Sequence, residues 1–193
     1  MASSFSARVL LSVINFSFST PAISQYPPEK VSLSIYYETL CPACSEFIVY
    51  NLSKIFESSI LGIVDLNLVP YGNAKQLWNR TTICTHGSDE CMLNTIQACN
   101  FIVNNNFSEW ISCFERRPEK RRIIIDCYLH GLGEKLESQC AMETSYLYPP
   151  LEYLPWVTVN NIPLRIDFQN FVKYICKAYK GSPHRNCQWT PYL

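Results

Sequence analysis

Apolar and polar positions change rhythm several times along the chain, and each change predicts an element. Val31, Leu33 and Ile35 alternate with Ser32 and Ser34, the period of a half-buried strand over 31–37. From Ser45 onward, Phe47, Ile48, Leu52, Ile55 and Phe56 recur at helical spacing, which predicts a helix opening near Pro42. Alternation returns at Val64, Leu66 and Leu68 as a second strand over 64–70, and Tyr71-Gly72-Asn73 turns the chain. Helical patterns follow over 90–104, 108–114 and 123–136. Strands are expected again at 156–160 and 162–165, joined by Asn160-Asn161, because Asn tolerates the positive φ of a tight hairpin. Asp167 is the expected N-cap of a last helix over 168–179, stopped by Gly181 and Pro183. No internal repeat or low-complexity tract is visible.

The order is strand, helix, strand, a block of helices, then hairpin and helix. Cys41-Pro42-Ala43-Cys44 sits where the first strand gives way to the first helix. A cysteine at a helix N-terminus meets free N–H groups and the positive end of the macrodipole, which stabilise a thiolate. A second thiol nearby can resolve the mixed disulfide formed when the first attacks. The layout predicts an α/β, thioredoxin-like fold with a cysteine-rich helical insertion at about 84–147. Cys41 is then the exposed nucleophile and Cys44 the resolving thiol. The competing readings are a structural disulfide or half a zinc site. A four-residue loop at a strand-to-helix junction is a poor place for a staple, and Cys84, His86 and Cys91 do not repeat the C-x-x-C pattern that would complete a zinc site. No metal is expected. Pro155, just before the strand at Trp156, is the candidate for a cis-proline that presents backbone groups to an extended substrate, against the plainer reading of a trans proline at a strand's first residue.

Composition places this chemistry in a compartment. Arg8 is the only charge in residues 1–24, and the apolar stretch 9–18 is short for a membrane span of about 20 residues, so a signal peptide is expected over 1–24 and one domain over 25–193. No later segment reads as a span. Ten cysteines all follow residue 40, at a density that implies structural disulfides in an oxidising environment. Setting Cys41 and Cys44 aside leaves an even number, enough for four bridges, whose connectivity the spacing does not assign. Cys176 and Cys187 are the pair most simply placed, clipping a short C-terminal loop. Asn51, Asn79 and Asn106 open glycosylation sequons. Formal net charge is zero, and the basic run 116–122 is interrupted by Pro118 and Glu119, so it reads as a solvated loop open to proteolytic nicking. No nucleic-acid partner is expected.

A longer motif is more specific. Cys84, His86, Gly87, Glu90, Cys91, Asn94 and Cys99 fall at the spacing C-x-H-G-x-x-E-C-x-x-N-x-x-x-x-C. This resembles the signature of the gamma-interferon-inducible lysosomal thiol reductase family, with Thr85 where the family usually has Gln. The redox motif, the segment 155–160 and the Cys176 and Cys187 pair are similar to that family too, so the resemblance spans nearly all of the expected mature chain. Little sequence follows Cys187 to supply the C-terminal propeptide of some members. The resemblance implies reduction of protein disulfides in an acidic or secretory compartment, extracellular, lysosomal or vacuolar. It implies no cofactor beyond a small-thiol reductant, and disulfide-containing proteins as partners; a monomer is expected. Cys84, Cys91 and Cys99 read as disulfide partners that order the insertion. His86 reads as a turn residue bonded to backbone, or as a proton carrier, since imidazole changes charge near neutrality. Two rivals stay open: an oxidase or isomerase, separated only by reduction potential, and a non-catalytic, disulfide-scaffolded binding glycoprotein. A small lipid carrier fits poorly, because the strands around the motif argue against an all-helical chain.

Overall fold

The computed structural model describes residues 29–79, 81–104 and 118–187. A four-stranded sheet has the order β2-β1-β5-β6, from β1 (Val31–Tyr37), β2 (Val64–Pro70), β5 (Trp156–Val159) and β6 (Ile162–Pro163). β1 and β2 run parallel, with Val31 opposite Val64 and Tyr37 opposite Pro70. Parallel neighbours need a long crossover. It is supplied by α1 (Pro42–Phe47), a π-helical turn over Ile48–Leu52, α2 (Ser53–Glu57) and a 3-10 turn over Ser59–Ile63. β5 is antiparallel to β1, and β6 to β5. Asn160 and Asn161 hold φ of 48° and 63°, as the expected tight turn requires.

The alternation in β1 reads as one buried face, yet the whole strand except Ser32 is buried. β1 is an interior strand covered on both faces. Leu33, Ile35 and Tyr37 join Leu52, Ile55, Phe171 and Ile175 in the main core, while Tyr36 packs on the other face with Val69 and Trp156. Each fully buried aliphatic side chain there contributes about 1.5–3 kcal/mol. Phe47 closes the core edge-on against Phe168 and Phe171, with ring centroids 5.4 Å and 5.7 Å apart.

A small hairpin, β3 (Lys75–Gln76) and β4 (Thr82–Ile83), leads into α3 (Ser88–Asn104), α4 (Pro118–Leu129) and α5 (Leu132–Ser145). The single helix expected over 123–136 is instead broken at Gly131, whose φ of 82° ends one helix and starts the next. The expected helix at 108–114 lies outside the described residues. Ala98, Cys99, Ile124, Cys127 and Leu136 give this block its own core. Glu143 ties it to the sheet, accepting from the Tyr36 hydroxyl at 3.1 Å and the Asn67 amide at 2.6 Å.

The C-terminal pattern also resolves differently from the sequence reading. β6 stops at Pro163, because Leu164 leaves the extended region at φ −81° and ψ −13° and Arg165 follows at φ 51°. A 3-10 turn over Arg165–Asn170 precedes α6 (Phe171–Ala178). Asp167 therefore does not cap the α-helix; its carboxylate accepts from the Asn170 amide and the Tyr174 hydroxyl, which hold its pKa below the usual range.

Candidate active site

β1 delivers the chain to the end of the sheet where Tyr37 pairs with Pro70, and the redox motif begins four residues later. Cys41 is the N-cap of α1 and Pro42 its first residue, a position where a missing N–H costs nothing. Cys41 and Cys44 are disulfide-bonded, and the Cys44 N–H donates to Cys41 Sγ at 3.2 Å. Cys44 is fully buried. Cys41 is 8% accessible, so the nucleophile expected to be exposed shows only a narrow face in this oxidised state. Cys44 offers no accessible face, so Cys41 carries what exposure the pair has.

β5 enters the same end of the sheet from the opposite direction. Trp156 pairs with Tyr36, which puts Pro155 at the level of Tyr37, just short of the redox loop. The Leu154–Pro155 peptide is cis, as is Tyr148–Pro149. An antiparallel β5 thus brings a proline 114 positions after Cys41 to the same edge.

The long signature lies beside this edge. Cys84 is bonded to Cys91, Cys99 to Cys127, and Cys176 to Cys187. The spacing had allowed four bridges apart from the redox pair; three are formed among the described residues, where Cys140 has no disulfide partner, and Cys113 lies outside them. Cys140 sits where the helical block meets the sheet, touching both small clusters around Trp156 and Cys84. Burial, with Glu143 and Glu137 nearby, pushes its pKa up to about 12. Its surroundings disfavour the thiolate, the reactive form.

His86 differs from the plain turn residue expected of it. Its ring Nδ1 lies 2.6 Å from Glu90 Oε2 and 3.6 Å from Glu38 Oε2, and its backbone N–H donates to Glu90 Oε1 at 3.1 Å. The ring's partners are carboxylates, not backbone. Both are buried, Glu38 to 2% and Glu90 to 0% exposure. Among the described residues these three form a group whose ligand atoms lie within 4.8 Å of one another, compact enough for a cation. The carboxylates and the His86 Nδ1 are already engaged with each other and with Asn73 and Thr85. Asn94 accepts from the Thr39 N–H through Oδ1 at 3.0 Å. Gly87 takes φ 90° at the turn into α3. Glu38 carried no motif in the sequence; its one signal was position, a charge wedged between a buried strand and C-x-x-C.

Asn79 is exposed and Asn51 half-buried, while Asn106 lies outside the described residues, as does the expected signal segment. Among the described residues no helix is long and apolar enough to cross a membrane.

Residues 32–144 match the family model for gamma interferon inducible lysosomal thiol reductase. The chain belongs to this family. A gamma-interferon-responsive lysosomal thiol protein of Arabidopsis thaliana is 43% identical over 79% of the chain and 72% of its own length. Gamma-interferon-inducible lysosomal thiol reductases of Carassius auratus and Mus musculus are 33% and 31% identical, over 84% and 81% of the chain and 74% and 71% of their lengths. The fold resembles MdbA, a thiol–disulfide oxidoreductase from Corynebacterium diphtheriae, with a TM-score of 0.52 at 10% identity over 79% of this chain and 86% of that one. It also resembles the oxidoreductase NmDsbA1 from N. meningitidis, with a TM-score of 0.50 at 13% identity over 79% and 83%. The fold is thioredoxin-like, and the family member described here is a thiol–disulfide oxidoreductase.

Proposed function

We propose that this chain reduces protein disulfides through Cys41 and Cys44, in an acidic or secretory compartment. The observation that carries the reading is the asymmetry of the pair. Cys41 Sγ caps the helix and accepts the Cys44 N–H, whereas Cys44 is sealed in the core. In the dithiol state that N–H and the helix terminus stabilise negative charge on Cys41, keeping thiolate available below the free-thiol pKa of about 8.5.

The Cys41 thiolate attacks one sulfur of a substrate disulfide. A Cys41–substrate bond forms, the substrate S–S bond breaks, and the other substrate sulfur leaves as thiolate. Cys44 then loses its proton and attacks Cys41 Sγ, releasing the second substrate thiolate and closing the Cys41–Cys44 disulfide. Two equivalents of a small thiol restore the dithiol. No metal or organic cofactor takes part. The cis-Pro155 edge supports docking of an extended polypeptide beside the pair, since backbone groups at that point can pair as an added strand. The lysosomal names of the relatives support the acidic setting.

The test is turnover of a denatured, disulfide-bonded protein with a small thiol at about pH 4.5 and about pH 7, where a free thiol would be almost wholly protonated. Reduction at the lower pH that disappears in Cys41→Ser is the expected result. Equal inactivity of the folded, pre-reduced wild type and Cys41→Ser would favour a non-catalytic scaffold.

A further inference from the structure

We propose that Glu38 and Asn94 are positioning residues for Cys41, acting through the loop Glu38–Leu40 that they hold against the signature segment. The proposal rests on the reductase reading of Cys41 and Cys44. Between the last residue of β1 and the first of α1, the chain has no ladder or helix to satisfy its backbone, so its hydrogen bonds must come from elsewhere. The Thr39 N–H goes to Asn94 Oδ1 at 3.0 Å, and the Thr39 hydroxyl to the Glu90 carbonyl at 3.4 Å. The Cys41 N–H goes back to the Glu38 carbonyl at 3.3 Å. The Glu38 side chain is fixed in turn, its Oε1 accepting from the Asn73 N–H at 2.8 Å and the Thr85 hydroxyl at 2.9 Å.

The loop that carries the nucleophile is therefore anchored to two places, the turn after β2 and the start of α3. The second anchor is itself stapled, because the Cys84–Cys91 disulfide brackets Thr85, His86 and Glu90. This gives the signature a task that packing alone would not require. Asn94 is 1% exposed and spends its carbonyl on the loop, while its Nδ2 has no hydrogen-bond partner. Thr85, at the position where Gln was expected, supplies a hydroxyl to Glu38. What the anchors set is the placement of Cys41 Sγ against Cys44, and so the effective concentration of one sulfur at the other.

The test compares Glu38→Ala, Glu38→Gln, Asn94→Leu and Thr85→Val. Two readouts are used: the equilibrium of the Cys41–Cys44 pair with glutathione, and kcat and KM on a disulfide-bonded protein. Glu38→Ala and Asn94→Leu are expected to move the equilibrium about tenfold toward the dithiol, about 30 mV for a two-electron couple. They should lower kcat about tenfold or more with KM within about twofold. Glu38→Gln keeps an acceptor for Asn73 and Thr85 and should stay within about threefold of wild type on both. An unchanged glutathione equilibrium in folded Glu38→Ala and Asn94→Leu overturns the proposal, as does Glu38→Gln impaired as severely as Glu38→Ala. Should Glu38→Ala not fold, Thr85→Val decides. It alters one exposed side chain, and an unmoved equilibrium there is equally fatal. The glutathione measurement needs no turnover, so an inactive wild type would sink the reductase reading and still leave the positioning role to be decided.

Discussion

Replacing Gly72 by Ala should damage the protein more than any other single methyl added at a positive-φ glycine. Gly72 sits in the turn after β2 at φ 57°, where an L side chain meets its own backbone at a cost of about 1–2 kcal/mol. A Cβ built there would lie 2.5 Å from Glu38 Cγ and 2.7 Å from Leu154 Cδ1. Glu38 is held in place, 2% exposed with its carboxylate bonded to Asn73 and Thr85, and the Leu154 side chain is packed against two core clusters. Forcing them aside adds about 1–3 kcal/mol of overpacking. The combined loss, about 2–5 kcal/mol, corresponds to a fall of about 4–20 °C in Tm for a chain of this size. Gly131 is the control, because its φ is 82° but a Cβ there meets nothing within 4 Å. Gly131→Ala should show the backbone cost alone. Thermal and urea unfolding with disulfides intact would compare the two, alongside reductase turnover, which Gly72→Ala should also depress by shifting both flanks of the redox pair. If Gly72→Ala were no less stable than Gly131→Ala, the close approach of turn, redox loop and proline loop would be wrong.

Other outcomes follow from the packing and the thiols. Cys140 should resist iodoacetamide in the native protein at about pH 8 and react on unfolding in urea, as followed by peptide mass spectrometry, because its thiol is pushed up to about 12 by burial. The unfolded thiol titrates near the ordinary value of about 8.5, and Tyr36 and Tyr37 are likewise held protonated by burial in the native state. Above about pH 9 the unfolded chain therefore releases protons that the native state keeps. Stability should fall as pH rises toward 11, approaching about 1.4 kcal/mol per pH unit for each group so affected, and the urea midpoint reads this directly. Removing the Cys99–Cys127 bridge as a double serine variant opens a loop of 28 residues, worth about 3.6 kcal/mol of denatured-state entropy. The loss should appear in the urea midpoint with the Cys41–Cys44 equilibrium unchanged.

Much of the site was legible in the sequence because it is written in local spacing. Both parallel strands stand at the residues where alternation placed them, and the Asn160-Asn161 turn has the backbone its residues favour. Cys41, Cys44 and Pro155 were marked by their places at element boundaries, and β1–β5 pairing brings those places to one edge. What stayed hidden depends on contacts distant in sequence. Nothing local says that β1 is covered on both faces, since its serines suit either a solvent face or an interior strand. Glu38 looks like any loop acid until Thr85 and Asn73 are found around its carboxylate. The His86 contact with Glu90 is local in sequence, four residues apart, but the second carboxylate beside the ring is found only once Glu38 folds back against α3. Cys140 has no disulfide partner among the described residues, and α5 seats it among Tyr37, Trp156 and the Cys84 cluster, a tertiary placement that counting cysteines does not reach.

The central claim is that substrate sulfur bonds to Cys41 and that Cys44 then displaces it. The most direct measurement incubates reduced Cys44→Ser with a disulfide-bonded protein and maps the trapped adduct by mass spectrometry of a non-reducing digest. The account predicts a substrate disulfide on Cys41 that accumulates in Cys44→Ser, clears in wild type and is missing from Cys41→Ser. A folded Cys44→Ser that traps nothing, or an adduct carried by Cys140, would contradict it.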